Sequence, residues 1–242
     1  MEYMNIEETN GWEASAAAWI ADMGETGDYG RQYVLDRPML DRVRPFRRAL
    51  DVGCGEGRFC RMMQEIGIQT VGIDPTETLL KEARHRDPAG KYHLGKAEAL
   101  PFPDASFDLV VSYLTLIDIP DIRRAIAEMS RVLMPGGSLL IANLTSFNTA
   151  GVETSWIPDP MGQLKYGIDR YLEERAAWVS WRGIHIQNYH RPLSTYMTLL
   201  LEQGLQLRHF SEPRPYGGDP AKVEHYSRVP YFMMMEWQKP LR

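Results

Sequence analysis

A run of glycines limits what this chain can fold into more than any other feature. Asp51-Val52-Gly53-Cys54-Gly55-Glu56-Gly57 follows the short apolar stretch RAL and leads into RFCRMMQEIG. The apolar stretch reads as a buried strand, the glycines as a tight turn, and the following segment as a helix ending at Gly67. The same rhythm continues downstream. QTVGIDP reads as a second strand stopping at Pro75, TETLLKEARHRD as a helix, KYHLG as a short third strand and SFDLVVSYLTL as a fourth. DIRRAIAEMSRVLMPGG then reads as a helix closed by Pro135-Gly136-Gly137, and SLLIANL as a fifth strand. Strands alternating with helices of about 10 to 15 residues imply βαβ units and a doubly wound, mostly parallel α/β sheet. From Arg191 come a helix (PLSTYMTLLLEQG), a strand (LQLRHFSEP), a proline-rich connection to about Arg228 and a final strand (VPYFMMMEWQK), which imply an antiparallel pair at the sheet edge.

Glycines at a strand-to-helix turn let a ligand approach main-chain N–H groups. The dinucleotide fingerprint GxGxxG, counted from Gly53, requires glycine at position 58, where this chain has Arg58; its glycines fall as GxGxG. That spacing disfavours a nicotinamide oxidoreductase. Asp74, 21 residues past Gly53 at the end of the second strand, is placed to accept both hydroxyls of an adenosine ribose.

Composition excludes several classes. A charge of -5 on 242 residues provides no whole-chain cationic field for nucleic acid or anionic lipid. The only two cysteines, Cys54 and Cys60, fit neither a disulfide framework nor a zinc knuckle, so no metal is expected and a reducing cytoplasm suits the chain. No run approaches about 18 apolar residues, and the opening MEYMNIEETNGWEAS is acidic where a signal peptide is basic and then apolar, so neither membrane nor export is expected.

ALDVGCGEGRF, VGIDP, GKAEALPFPDASFDLVVS and the MPGGSLLI block, in this order from about Ala49 to Ala142, resemble the successive motifs of class I S-adenosylmethionine (SAM) dependent methyltransferases of the small-molecule, ubiquinone-biosynthesis-like type. The resemblance implies a seven-stranded Rossmann-like sheet whose last strand is antiparallel. It implies that the loop of Gly53, Cys54 and Gly55 faces the methionine moiety of SAM, with Asp51 near its ammonium. Asp74, followed by Pro75, would hold the ribose, Lys96 and Ala97 would border the adenine, and Tyr113 would pack beside the adenosine or reacting centre. Lys96 occupies a site often filled by Asp or Asn, and a lysine side chain cannot accept the adenine amino protons. Tyr29, Arg31 and Tyr33 precede the first strand at a distance that lets an N-terminal helix fold over the cofactor, with Tyr33 a candidate contact; core packing is the competing reading for the tyrosines.

The organisation expected is an N-terminal helical lid (1–47), a SAM-binding core (48–144), an insertion or substrate cap (145–190), and a C-terminal helix and antiparallel strand pair that complete the sheet (191–242). The 145–190 stretch shows no clear strand period and carries Trp156, Trp178, Trp181, His185 and His190. Each histidine is a candidate base for an acceptor proton, against the reading that His190 orients a loop and His185 is a packed ring. The tryptophans either line an apolar acceptor pocket or anchor the lid. The function expected is methyl transfer from SAM, giving S-adenosylhomocysteine, to an O, N or C atom of a small molecule by a monomer or homodimer. The alternative is a SAM-binding pseudo-enzyme or regulatory module without methyl transfer.

Overall fold

Alternation inside the central strands decides the architecture, because each strand sends successive side chains to opposite faces and both faces are apolar. In β1 (Arg48–Val52), Leu50 and Val52 join one core while Ala49 joins the other. In β4 (Phe107–Tyr113), Val110 faces the first core, and Leu109 and Val111 face the second. A sheet apolar on both sides must be covered on both sides. The computed structural model, which describes residues 10–151 and 155–241, shows this cover. Helices α5 (Ile122–Val132) and α7 (Leu193–Glu202) contribute to the first core. Helices α2 (Asp36–Val43) and α3 (Arg58–Glu65) contribute to the second. Helix α5 buries Ile122, Ala125, Ile126, Met129 and Val132, one stripe of helical period, and Asp121 caps it by accepting the Arg124 N–H at 3.0 Å.

The seven-stranded sheet has the order β10-β11-β5-β4-β1-β2-β3, where β2 is Gln69–Asp74, β3 Lys91–Leu94, β5 Leu133–Leu144, β10 Gln206–Ser211 and β11 Phe232–Gln238. Strands β5, β4, β1, β2 and β3 run parallel, and β11 is antiparallel to both β5 and β10. The last strand is therefore antiparallel, as the resemblance implied, but it lies inside the sheet and β10 forms the edge. Between β4 and β1 the order of connections reverses, which in open α/β sheets opens a crevice at the carboxyl ends of the strands.

Three local expectations change. The fifth strand starts at Leu133, before the Pro-Gly-Gly turn, with Gly136 at φ +81° as the strand changes register against β4. The proline-rich connection holds helix α8 (Pro220–Arg228), with Asp219 accepting the Lys222 N–H and proline at the first helical position. The 145–190 stretch is mostly β: after α6 (Ser146–Ala150) come the hairpins β6–β7 (Trp156–Pro158, Leu164–Tyr166) and β8–β9 (Arg175–Trp181, Ile184–His190). Upstream, α1 (Trp12–Met23) and a single π-type turn (Arg31–Leu35) running into α2 make up the N-terminal helices. The first contacts of α1 are with β9: Gln187 N–H donates to the Asn10 carbonyl at 2.9 Å, and Ser15 Oγ both donates to the His185 carbonyl (3.0 Å) and accepts its N–H (2.9 Å).

Candidate cofactor and acceptor site

Every parallel strand delivers its carboxyl end to one cavity of about 1320 Å³. After β1 it is lined by Gly53, Cys54 and Gly55, after β2 by Asp74 and Pro75, and after β3 by Lys96 and Ala97. Tyr113 and Thr115 line it after β4, and Leu144 at the end of β5. The glycine turn is built to bring main chain to the ligand. Gly53, Gly55 and Gly57 have φ of +75°, +54° and +75°, a region that L side chains avoid. A Cβ on Gly53 would lie 2.2 Å from Thr115 Cγ2. The Gly53 and Cys54 N–H groups donate to the Ile73 carbonyl (2.8 and 3.1 Å), so the turn is pinned to β2.

Asp74 closes this turn. Its Oδ2 accepts the Gly55 N–H at 2.9 Å and its Oδ1 the Thr76 N–H at 2.8 Å. Burial pushes its pKa up to about 6, with Glu56 adding to the rise and the two backbone donors opposing it. Asp51 is 1% exposed. Its Oδ2 accepts from the Cys60 thiol at 3.5 Å, while Oδ1 has no hydrogen-bond partner among the described residues. Burial pushes the Asp51 carboxyl up to about 7; the Cys60 thiol lowers it and the charges of Asp74 and Glu56 raise it further. A buried carboxylate oxygen without a donor, beside a glycine turn, fits an ammonium group. The lining residues thus suit the aminoacyl and ribose parts of SAM.

Tyr113 presents its ring to the cavity, but its hydroxyl turns away and donates to Asp36 Oδ1 at 2.8 Å. Burial raises the Tyr113 pKa well above its ordinary value, which keeps the hydroxyl a donor. Arg58, the residue that breaks the dinucleotide spacing, pairs with the same Asp36, donating from Nη1 at 3.1 Å and from Nη2. This buried trio fastens α2 to the sheet and to the start of α3.

The far wall is aromatic. Trp12 and Trp19 of α1 meet edge to face at 5.0 Å, and the Trp19 indole donates to Glu56 at 3.2 Å. Arg31 lies 4.9 Å from the centroid of the Trp19 ring and pairs with Asp28 at 2.8 Å. Trp178, Trp181 and Tyr189 come from the β8–β9 hairpin, and Tyr226, Tyr231 and Phe232 from α8 and the start of β11.

Nine of the ten residues expected at the cofactor, Asp51, Gly53, Cys54, Gly55, Asp74, Pro75, Lys96, Ala97 and Tyr113, line this cavity. Tyr33 is brought elsewhere: its ring packs on Tyr29 (5.2 Å) and against Gly217 and Gly218. The two histidines are also placed outside the cavity lining. His185 is exposed, stacked on Trp178 at 4.6 Å with Nδ1 2.6 Å from Ser180 Oγ. His190 is 3% exposed, with Nδ1 2.7 Å from Thr149 Oγ1 and Nε2 2.9 Å from the Tyr171 carbonyl. Burial lowers its pKa, so both ring nitrogens serve a neutral packed ring. Trp178 and Trp181 reach the cavity, while Trp156 packs among Tyr166, His225 and Arg228.

Local patterning does not single out Asp118, Asn188 or the aromatic residues Tyr226, Tyr231 and Phe232 of α8 and the start of β11. Ile184 and Ile186, buried on either side of exposed His185, carry a period of two that extends to Asn188 and was the available signal. Asp118 carried no local signal, because only tertiary folding carries the turn after β4 beneath β9.

A seven-stranded sheet with its last strand antiparallel, a glycine turn after β1 and a carboxylate ending β2 define a nucleoside-binding protein of the Rossmann-like class. The likeness to known proteins is more specific. A family model described as a methyltransferase domain matches residues 50–141. The chain is similar to an S-adenosylmethionine dependent methyltransferase from Mesorhizobium loti, with a TM-score of 0.75 and 28% identity over 84% of this chain and 95% of that one. It is 34% identical over 136 residues to the malonyl-[acyl-carrier protein] O-methyltransferase of Serratia marcescens (54% of this chain, 53% of that protein). It is 37% identical over 126 residues to the demethylmenaquinone methyltransferase of Renibacterium salmoninarum (52% of each). The chain spans about half the length of these curated relatives. Residues 50–141 thus match a methyltransferase domain, and the chain as a whole is similar in fold to an S-adenosylmethionine dependent methyltransferase.

Proposed function

We propose that this protein transfers the methyl group of SAM to a small-molecule acceptor. The observation that carries the reading is the pairing of a partnerless buried Asp51 oxygen and the Asp74-braced glycine turn with an aromatic cap over the same cavity. Ligand pockets commonly run to about 300–1,000 Å³, so a cavity of about 1320 Å³ has room for SAM and an acceptor together.

SAM, when bound, supplies an electrophilic methyl on a sulfonium. Asp51 would hold the ammonium and Asp74 the ribose hydroxyls; the Lys96–Ala97 main chain would border the adenine. The cap residues, Trp12 and Trp19 from one side and Trp178, Trp181 and Tyr189 from the other, would exclude water and hold the acceptor against the methyl, where positioning lowers the barrier to displacement. In this reading residues 1–47 and 145–190 are the parts that choose the acceptor; Met1–Thr9 and 152–154 fall outside the described residues. The relatives' names point to acyl and quinone-type acceptors for those proteins. Here the acceptor is taken to be a small molecule met by a monomer or homodimer in the cytoplasm; among the described residues no helix is long and apolar enough to cross a membrane.

Calorimetry with SAM and S-adenosylhomocysteine tests the cofactor, and release of S-adenosylhomocysteine in the presence of candidate acceptors tests the transfer. No binding of either at millimolar ligand refutes the reading. Binding without turnover across acyl, quinone, amine and phenol acceptors favours a binding module.

A further inference from the structure

Besides Asp51 and Asp74 the cavity is lined by Glu13, Asp28, Glu56, Glu98 and Asp118; Asp28 pairs with Arg31 and Glu56 takes the Trp19 indole, while Asp118 is held by an amide of the cap. Asp118 ends the short 3₁₀ turn Leu116–Asp118 that follows β4, across the switch point from Asp51 and Asp74. It lines the cavity together with Trp12 of α1, and Asn188 Nδ2 from β9 donates to its Oδ1 at 2.5 Å. A carboxylate offers about four lone-pair sites, so this donor leaves acceptor capacity unfilled. Burial, with Asp74 adding to it, holds the Asp118 pKa well above the ordinary carboxylate range, the condition under which a carboxylate is an effective proton acceptor near neutral pH.

The cations on the cavity wall are placed differently. Arg58 is committed to Asp36 and Arg31 to Asp28, and Lys96 is exposed at the adenine side. An acceptor arriving as a carboxylate would find no uncommitted guanidinium among the described residues of the wall, and its oxygens would meet those of Asp118, a pairing of acceptors with no donor between them. An acceptor arriving with an N–H or O–H would find a carboxylate already held in orientation by Asn188 of the cap.

Resting on the methyltransferase reading, we propose that Asp118 is the acceptor-side catalytic residue: it accepts a hydrogen bond from the N–H or O–H to be methylated and takes its proton, so the acceptor is an amine or a hydroxyl compound rather than a carboxylate. The acceptor's N or O lone pair forms the new bond to the methyl carbon, the electron pair of the broken S–C bond stays on sulfur, and the N–H or O–H proton passes to an Asp118 oxygen. Asn188 is then a positioning residue, since it acts only through the carboxylate it holds.

The test needs no knowledge of the acceptor. Sinefungin carries a primary amine where SAM carries its methyl, whereas S-adenosylhomocysteine has nothing there. Calorimetry on the full chain is expected to show that Asp118→Asn weakens sinefungin at least tenfold while leaving S-adenosylhomocysteine within about twofold, a tenfold loss being about 1.4 kcal/mol. Asn188→Leu, which keeps the carboxylate and removes its amide partner, should show the same selectivity in smaller degree. Equal loss of both ligands in both variants overturns the proposal, because Asp118 would then hold the cofactor or merely the cap. Unchanged sinefungin affinity in Asp118→Asn overturns it too, as would methylated products formed from carboxylates alone in a panel of aromatic amines, phenols and carboxylates. A wild-type chain that binds neither nucleoside refutes the methyltransferase reading itself, and this inference with it.

Discussion

Two carboxylates at the ends of β1 and β2 set how the site responds to pH. Asp51 and Asp74 titrate near about 7 and about 6 because burial opposes their charge. With folded values above the ordinary 3.8, their contribution to stability is greatest in acid and is lost as pH rises through about 6 to about 7 in the unliganded chain. In the proposed reading, a cation and ribose hydroxyls bound to them would favour the ionised forms. SAM should therefore bind more tightly as pH climbs from about 5 to about 8 and should expel protons below neutrality. Calorimetry in two buffers of different ionisation enthalpy reads the proton release, and a pH-independent affinity would contradict the assignment. Asp74 also braces the turn through Gly55. Asp74→Ala should accordingly cost about 1–3 kcal/mol of SAM binding, and Asp74→Asn less, since an amide oxygen can still accept one backbone N–H. Titrations of both variants, folded by circular dichroism, check this order. At this scale the sequence was readable where chemistry is local: Asp51, the glycines and Asp74 stand within one strand-turn-helix unit and the strand beside it. Imidazole chemistry alone makes His185 and His190 candidates, whereas folding sets His185 Nδ1 against Ser180 and the His190 nitrogens against Thr149 and the Tyr171 carbonyl. Nothing near Asp118 in the chain indicates the Asn188 and Trp12 that meet it.

Among the elements, α2 is held by the ion pair of Arg58 with Asp36 and by the Tyr113 hydroxyl, all in the interior. Removing one partner strands a buried charge, so Asp36→Ala should destabilise the chain by about 3–5 kcal/mol in denaturant unfolding, whereas an Asp36→Leu, Arg58→Met double variant should recover most of that loss. A single variant as stable as wild type would show that the pair is solvated. The helices and strands of the core were legible because apolar period and glycine punctuation agree there. The insertion was not, since its hairpins lie against a cavity and the rest of the cap rather than a continuous core: β8 alternates only between half-buried and exposed positions, and aromatic residues fall on both faces. Helix α8 hid behind prolines, although Asp219-Pro220 is a regular start signal and none of its residues is buried.

For the molecule as a whole, seven-strand topology and a cavity at the switch point were foreseeable, because βαβ handedness leaves few alternatives. The joining of α1 to β9 was not, since it links positions about 170 apart through the Ser15 and His185 main-chain contacts. The position of β11 has a consequence for how the chain comes into being. It is the last strand in chain order, yet it lies between β5 and β10 and carries Met233, Met235 and Trp237 into the central core. A polypeptide emerging from the ribosome therefore exposes the ladder edge of β5 throughout synthesis of the cap, α7 and β10, and β10 has no neighbour to pair with until β11 has emerged. The nascent chain is expected to be a substrate for chaperones during that interval. Chains ended at Pro230 should aggregate or stay protease-sensitive even with SAM present, and a soluble, cofactor-binding truncation would show that the sheet can close without its inner strand.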